Sequence, residues 1–115
     1  MKLSILLLFC LVGFTSNAQT SKELIGKWKL VKQIQNGVTK TPENTYQVFN
    51  EGGEFRGING DSSRKGKWKL SENNRELAIK ISIISITFSV DYFDTKKRII
   101  SSEKTGTLEY EKVAD

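Results

Sequence analysis

Hydrophobic and polar side chains alternate along most of the chain beyond residue 25. The first such stretch places four residues on one face, namely Trp28, Leu30, Lys32 and Ile34. Side chains of a β-strand point to opposite faces in turn, so this period of two predicts a half-buried strand. Asn36-Gly37 ends the strand because both residues favour turns. Ahead of it, residues 22–25 followed by Gly26 predict a single helical turn.

Turn signals divide the following residues into short strands. Glu51-Gly52-Gly53 separates apolar-rich segments over residues 45–50 and 54–59. Glycine tolerates the positive φ angles of tight turns, so these segments predict a β-hairpin. A second turn cluster, residues 59–63, precedes a strand predicted to open at residues 66–70.

A longer alternation covers residues 77–92 and changes phase at Ile83-Ile84. A single strand of that length would span about 50 Å, which is too long for a domain of this size. We therefore expect a bend, a bulge or a tight turn between Ser82 and Ser85, and the pattern leaves open which of these it is. Residues 98–103 and 107–113 predict two further strands.

The count is about eight strands, and no helix of normal length is available to cover a sheet face. A sheet that closes on itself buries one face and removes its exposed edges. The pattern therefore favours an all-β, antiparallel, up-and-down eight-stranded barrel, with a two-sheet β-sandwich as the alternative. Residues 36–44 have no periodicity and contain Pro42, so they predict the longest loop, which could act as a lid.

The first 18 residues have the organisation of a secretory signal peptide. Lys2 supplies a positive charge, residues 3–14 are apolar, and Ser16-Asn17-Ala18 matches a small-x-small cleavage pattern. As a helix the apolar segment would span about 18 Å, well short of a hydrocarbon core of about 30 Å. We expect a signal peptide over residues 1–18, a mature domain over residues 19–115, no transmembrane segment, and a periplasmic or secreted location in a Gram-negative envelope.

The charge balance of the mature chain is mildly basic. Lys2 is the only charged residue of the leader, so 17 basic and 13 acidic residues remain, a net charge of +4. Such an excess is typical of a solvated surface, and in an exported protein it does not predict nucleic acid as a partner. A weaker interpretation is a basic outer stripe that meets anionic lipid or polysaccharide, formed by Lys27, Lys29, Arg64, Lys65, Lys67 and Lys69.

The chain offers few side chains for catalysis or metal binding. It has no histidine, and its single cysteine, Cys10, lies in the leader. The mature protein therefore lacks both disulfides and the commonest metal ligands. Glu109 and Glu111 stand two apart in a predicted strand and project together to the outside, which does not suit an acid–base pair. We expect no cofactor, no metal and no enzymatic activity.

Three motifs occur in order along the chain. They are Leu24-Ile25-Gly26-Lys27-Trp28-Lys29-Leu30, the aromatic-turn-aromatic segment over residues 46–55, and Gly66-Lys67-Trp68-Lys69-Leu70. Their order and spacing resemble the bacterial lipocalin-like family of small exported β-barrel proteins, and the likeness covers nearly all of residues 22–113. The resemblance implies a barrel whose end is closed by the first Trp and an interior that can hold a small ligand.

Eight aromatic side chains are candidates for the barrel interior and for contacts with a ligand. They are Trp28, Tyr46, Phe49, Phe55, Trp68, Phe88, Tyr92 and Tyr110. In small eight-stranded barrels such residues either fill the interior or leave room for one small ligand, and the sequence leaves both outcomes open. If a pocket exists, the polar groups of Trp and Tyr would orient an otherwise apolar guest.

The leading functional hypothesis is a monomeric, non-catalytic protein that holds a small hydrophobic ligand in or at the mouth of the barrel. The alternative is a solid-core protein that interacts with or inhibits another envelope protein through its loops, chiefly residues 36–44 and 57–65. A cavity open at one end would favour the first hypothesis, and a packed core would favour the second. No motif identifies the ligand.

Overall fold

A computed structural model describes residues 22–114 of the chain. The predicted signal peptide, residues 1–18, lies outside these residues. The described part begins with helical residues 22–24, as expected from the sequence, and continues as nine β-strands. The strands are β1 (Gly26–Gln35), β2 (Val38–Lys40), β3 (Thr45–Phe49), β4 (Glu54–Asn59), β5 (Ser62–Leu70), β6 (Glu76–Ile81), β7 (Ile84–Phe93), β8 (Lys97–Ser102) and β9 (Gly106–Lys112).

Eight of these strands form a closed antiparallel barrel. Neighbours from β3 to β9 pair in chain order, β1 pairs with β3, and β1 also pairs with β9 to complete the ring. Closure pairs the backbone groups of what would otherwise be two edge strands. The predicted up-and-down barrel is confirmed, and the β-sandwich alternative does not apply.

The ninth strand, β2, comes from the segment predicted as a loop. Gln35 pairs with Val38, and the two residues between them, Asn36 and Gly37, have φ angles of 53° and 77°. Two consecutive positive φ angles are typical of the type I′ turn, whose twist matches that of the flanking strands. Part of the predicted loop is therefore a β-hairpin. The alternation did not predict β2 because a strand of three residues is too short to show a period of two.

A bulge in β1 reverses its inward and outward positions. Leu30 lies opposite Tyr110, but the next paired residue is Lys32, opposite Glu109. One extra residue in a strand shifts every later side chain to the other face. The expectation that Lys32 and Ile34 share the face of Trp28 is therefore wrong, and Ile34 is 39 % exposed.

The phase change within residues 77–92 is a tight turn. Ile81 pairs with Ile84, which leaves Ser82 and Ile83 as the turn residues between β6 and β7. Ser82 has a φ angle of 58°, a left-handed conformation suited to such a turn. The predicted interruption between residues 82 and 85 is confirmed, and residues 77–92 belong to two strands.

The strand predicted to open at Gly66 begins four residues earlier, at Ser62. Gly66 therefore lies inside β5, opposite Phe55 of β4. A Cβ atom at Gly66 would collide with the backbone carbonyl oxygen of Lys80 and would come within 2.9 Å of the Ile81 side chain. The glycine is needed for this close approach of β5 and β6 rather than for a turn into the strand.

One end of the barrel is filled by large side chains around Trp28. The indole N–H of Trp28 donates to the Leu24 carbonyl oxygen at 2.9 Å, and both residues are buried. The ammonium group of Lys112 lies 4.7 Å from the Trp28 ring centroid and donates to the Glu23 carbonyl oxygen at 2.7 Å. The helical residues 22–24 are thereby held across this end, which we call the closed end.

Candidate functional site

The opposite end of the barrel is hollow. It contains a cavity of about 720 Å³ that opens to solvent and is lined by residues of β3 to β7 and by Tyr110 of β9. The lining reaches the β4–β5 turn through Asn59 and Ser62, and the β6–β7 turn through Ile81 and Ile84. The cavity size lies within the range of ordinary small-molecule sites. The sequence left open whether the interior is filled or holds a pocket. The structure shows a pocket at the open end and a filled core at the closed end.

The size of the inward-facing side chains explains why only one end is filled. Around the closed end they are large, and Phe49 packs edge-to-face on Phe55 at 5.2 Å and on Trp68 at 5.7 Å between ring centroids. Towards the open end, β4 and β5 present Gly57 and Ser62 to the cavity. Small residues at these positions leave a volume that the rest of the barrel does not fill.

The cavity has an apolar wall and a polar wall. The apolar wall is formed by β6 and β7, and consists of Ile79, Ile81, Ile84, Ile86 and Phe88. The polar wall lies on β3 to β5, and includes Thr45, Gln47, Asn59, Ser62 and Arg64. A site of this composition can bury an apolar body and still offer hydrogen-bonding groups to a polar end.

Arg64 is one of two arginines associated with the cavity. It pairs with Gly57 across β4 and β5 and lines the cavity, although its side chain remains solvent-exposed. The expectation of a basic outer stripe that includes Arg64 is therefore wrong at this residue. Lys65 and Lys67, its neighbours in the alternation, are exposed on the other face of β5.

Arg98 is the second arginine, and it contacts Gln47 and Tyr110, which line the cavity. Its side chain is 1 % exposed, and its Nη2 donates to the Gln47 Oε1 at 2.7 Å. The guanidinium carbon lies 5.0 Å from the ring centroid of Trp28, 4.9 Å from Phe49 and 4.2 Å from Tyr110. Cation–π attraction to three rings offsets part of the cost of burying this charge.

The hydrogen-bonding capacity of Arg98 is only partly used. Its Nε and Nη1 atoms are buried and have no hydrogen-bond partner among residues 22–114, and no carboxylate of that range pairs with it. Burial lowers the pKa of Arg98 to about 10, so the guanidinium stays charged at neutral pH. Burial also raises the pKa of Tyr110 to about 12, against the opposing effect of the Arg98 charge.

Six of the eight predicted aromatic residues belong to the barrel interior. Five are buried, namely Trp28, Phe49, Phe55, Phe88 and Tyr110. Trp68 is half-buried, packs against the same core and donates its indole N–H to the Asn50 carbonyl oxygen at 2.9 Å. Phe55, Phe88 and Tyr110 line the cavity, whereas Trp28 and Phe49 pack the closed end.

The expectation that Tyr92 faces the interior is wrong. A bulge between Val90 and Tyr92 advances the register of β7, so that Phe93, and not Tyr92, lies opposite the inward-facing Arg98. Phe93 then packs on Trp28 with ring centroids 6.0 Å apart. Tyr92 is 47 % exposed, and its hydroxyl donates to the Asp94 carboxylate at 2.6 Å.

Tyr46 also turns its ring away from the interior. It pairs with Lys29 on β1, and its ring lies 4.5 Å from the ammonium nitrogen of Lys27. Both lysines alternate with the buried Trp28, so the ring belongs to the outer face of the barrel. Tyr46 borders the cavity, and its neighbour Gln47 supplies the inward-facing side chain at this level.

Sequence reasoning missed the polar groups of the site. The alternation does not distinguish Gln47 from other polar residues, it predicts an outward position for Arg64, and it assigns no role to Arg98. A signal for Arg98 was present, because it stands two residues before the apolar Ile100 and therefore shares its face. Within residues 22–114, no group of three or more Asp, Glu, His or Cys side chains could hold a metal ion, and no helix there is long and apolar enough to cross a membrane.

A closed eight-stranded barrel that is sealed at one end and open at the other defines a lipocalin-like fold. Among solved structures, a lipocalin-like protein from Bacteroides uniformis ATCC 8492 is similar with a TM-score of 0.68 and 20 % identity, covering 79 % of this chain and 99 % of that chain. An uncharacterized protein from Bacteroides eggerthii DSM 20697 is similar with a TM-score of 0.65 and 19 % identity, covering 78 % and 99 %. No protein-family profile and no curated protein matches the chain.

Proposed function

We propose that this protein is an exported, non-catalytic binding protein that holds a small hydrophobic molecule in the open end of the barrel. The observation that carries the proposal is the cavity of about 720 Å³ with its continuous apolar wall on β6 and β7. Burying apolar surface is the main favourable term in binding such a ligand. Export rests on the signal-peptide pattern of residues 1–18.

The hollow end supports this function over the alternative of a solid-core interaction protein. That alternative expects the interior to be filled throughout, so that only the loops are available for binding. The cavity reaches inward from the β4–β5 and β6–β7 turns as far as Tyr110. Loop-mediated binding of a protein would leave this depth without a role.

The first test is native mass spectrometry of the protein exported by its own host and purified without detergent. A co-purifying molecule of defined mass that is extracted by organic solvent would support the proposal and reveal its chemical class. A titration with the neutral apolar fluorophore N-phenyl-1-naphthylamine then measures binding independently of the natural ligand.

A cavity-filling variant locates the bound fluorophore. A Cβ atom at Gly57 meets only the Phe55 ring, at 3.5 Å or more, so the backbone accepts a side chain that projects into the cavity. Gly57→Phe is expected to weaken fluorophore binding about tenfold or more, because it occupies the volume that the ligand needs. The matched control, Thr87→Phe, introduces the same residue at an exposed position of β7 and is expected to change the affinity less than about twofold. Equal binding by both variants would contradict the proposed site.

A further inference from the structure

The charge of Arg98 has no counterpart in the described part of the protein. The side chain is 1 % exposed, and the ion pair found within residues 22–114 joins Lys97 to Glu109 instead. A buried charge without an ionic partner is strongly unfavourable, and each buried donor without an acceptor adds to that cost. The Gln47 carbonyl and three aromatic rings supply only dipoles and quadrupoles. An anion is therefore the group that this position lacks.

The same guanidinium contacts two residues of the cavity lining, which we call the cavity floor. Gln47 and Tyr110 both contact Arg98, and both also line the cavity. A group that binds against this floor is therefore separated from the guanidinium by a single side-chain contact. Displacing the side-chain carbonyl oxygen of Gln47 would give such a group the charged donors of Arg98.

The walls above the floor define the rest of the ligand. On one side β6 and β7 offer isoleucine side chains, so the portion of the ligand above its anionic end must be apolar. A small inorganic anion would leave the apolar wall without a partner. It would also pay the full cost of losing its hydration shell and gain only one ion pair in return. A long apolar chain ending in a carboxylate meets both requirements.

We infer that the ligand is an amphiphile with a carboxylate head. It binds head-first, so that the carboxylate pairs with Arg98 and the apolar chain lies along the apolar wall of β6 and β7. This inference rests on the proposed function and specifies its ligand class. Arg64 offers the competing arrangement, in which the head group stays near the mouth. Because Arg64 is exposed and hydrated, its charge needs no partner, whereas that of Arg98 does.

The test compares two ligands that share one apolar chain. Isothermal titration calorimetry of the whole protein with dodecanoate and with dodecan-1-ol separates the contribution of the carboxylate from that of the chain. We expect dodecanoate to bind about tenfold or more tightly, because a desolvated charge pair favours the acid. Equal affinities would overturn the inference while leaving the proposed function intact. Binding of neither compound, nor of N-phenyl-1-naphthylamine, would overturn both.

Three variants identify which arginine is responsible. Arg98→Met is expected to remove the preference for dodecanoate while keeping dodecan-1-ol binding. Arg56→Met is the control. The Arg56 guanidinium donates a hydrogen bond to the Ser63 hydroxyl on the outside of the barrel, so this variant is expected to keep the preference for dodecanoate. Loss of the preference in Arg64→Met together with its retention in Arg98→Met would overturn the head-first arrangement.

A measurement on the unmodified protein covers the case in which Arg98→Met does not fold. Buried arginine Nε–H groups give resolved ¹⁵N resonances because they are shielded from water. Dodecanoate is expected to shift the Nε–H resonance of Arg98, and dodecan-1-ol is expected to leave it near its free position. An Arg98 resonance that is unmoved by saturating dodecanoate would overturn the inference without any variant.

Discussion

The Trp28 indole donates its hydrogen bond to the Leu24 carbonyl oxygen at 2.9 Å, and this contact joins the barrel to the helical residues that cover its closed end. Leu24 is 1 % exposed and Trp28 is fully buried. The acceptor would therefore find no water if the donor were removed. The bond and the ring packing together make Trp28 the residue on which the closed end depends most.

We predict that Trp28→Phe lowers the free energy of unfolding by about 2–4 kcal/mol, because it leaves a cavity and a buried carbonyl oxygen without a donor. The matched control is Trp68→Phe, since the Trp68 indole bonds an exposed loop carbonyl and its ring is half-buried. Trp68→Phe is expected to lower the free energy of unfolding by about 1 kcal/mol. Urea denaturation followed by circular dichroism measures both, and an equal loss in the two variants would contradict the ranking.

Gly66 and Gly57 are predicted to respond differently to the same substitution. Gly66→Ala places a Cβ atom against the Lys80 carbonyl oxygen, which belongs to the backbone and cannot rotate away. We expect a loss of about 1–3 kcal/mol. Gly57→Ala meets only ordinary contacts and is expected to be neutral or stabilising by less than about 1 kcal/mol. Thermal unfolding of both variants decides the matter, and a neutral Gly66→Ala would show that β5 and β6 can separate.

Tyr110 is predicted to ionise only at unusually high pH. Burial raises the pKa of Tyr110 to about 12, above its ordinary value of 10.0. The protonated phenol is thus favoured by folding, so its contribution to stability is fully present below pH 10 and is lost as the pH rises through about 12. Ultraviolet titration is expected to lose its highest step in Tyr110→Phe, with circular dichroism verifying that the barrel is folded. Persistence of that step would assign it to another tyrosine.

Asp94 is predicted to make the protein less stable in acid. The Tyr92 hydroxyl and the backbone N–H groups of Lys96 and Lys97 donate to its carboxylate and lower the pKa of Asp94 below the ordinary 3.8. A depressed pKa contributes stability above the unfolded value, and that contribution disappears as the pH falls through the folded value. Tyr92→Phe is expected to raise the pKa of Asp94 in an NMR titration of the carboxyl carbon. An unchanged Asp94 titration would show that the turn amides alone hold the carboxylate.

The sequence predicted the barrel because alternation and turns are local properties. Glu51-Gly52-Gly53 and the phase change near Ser82 each depend on residues adjacent in the chain, and both turns are present. The inward or outward direction of each side chain was predicted less well, because no particular residue type marks the bulges in β1 and β7. Tyr92 and Phe93 are both aromatic, so the sequence could not reveal that the bulge before them exchanges their positions.

The chemistry of the cavity depends on distances that the chain order does not contain. Arg98 and Gln47 lie on strands that are far apart in sequence, and their hydrogen bond exists only because the barrel closes. A charged residue in a strand is ordinarily assigned to the outside. The burial of Arg98 is an exception to that rule, and although its spacing from Ile100 indicates the inner face, only the folded structure shows the aromatic rings around it.

The division of the barrel into a packed end and a hollow end also separates the residues that determine folding stability from those that shape the cavity. Substitutions at Trp28 or Phe49 alter the folded state itself, whereas substitutions at Asn59 or Ser62 alter mainly the shape of the cavity mouth. Substitutions of the second kind can therefore be made at little cost to the free energy of unfolding. The same separation makes the open end a practical starting point for designing small receptors.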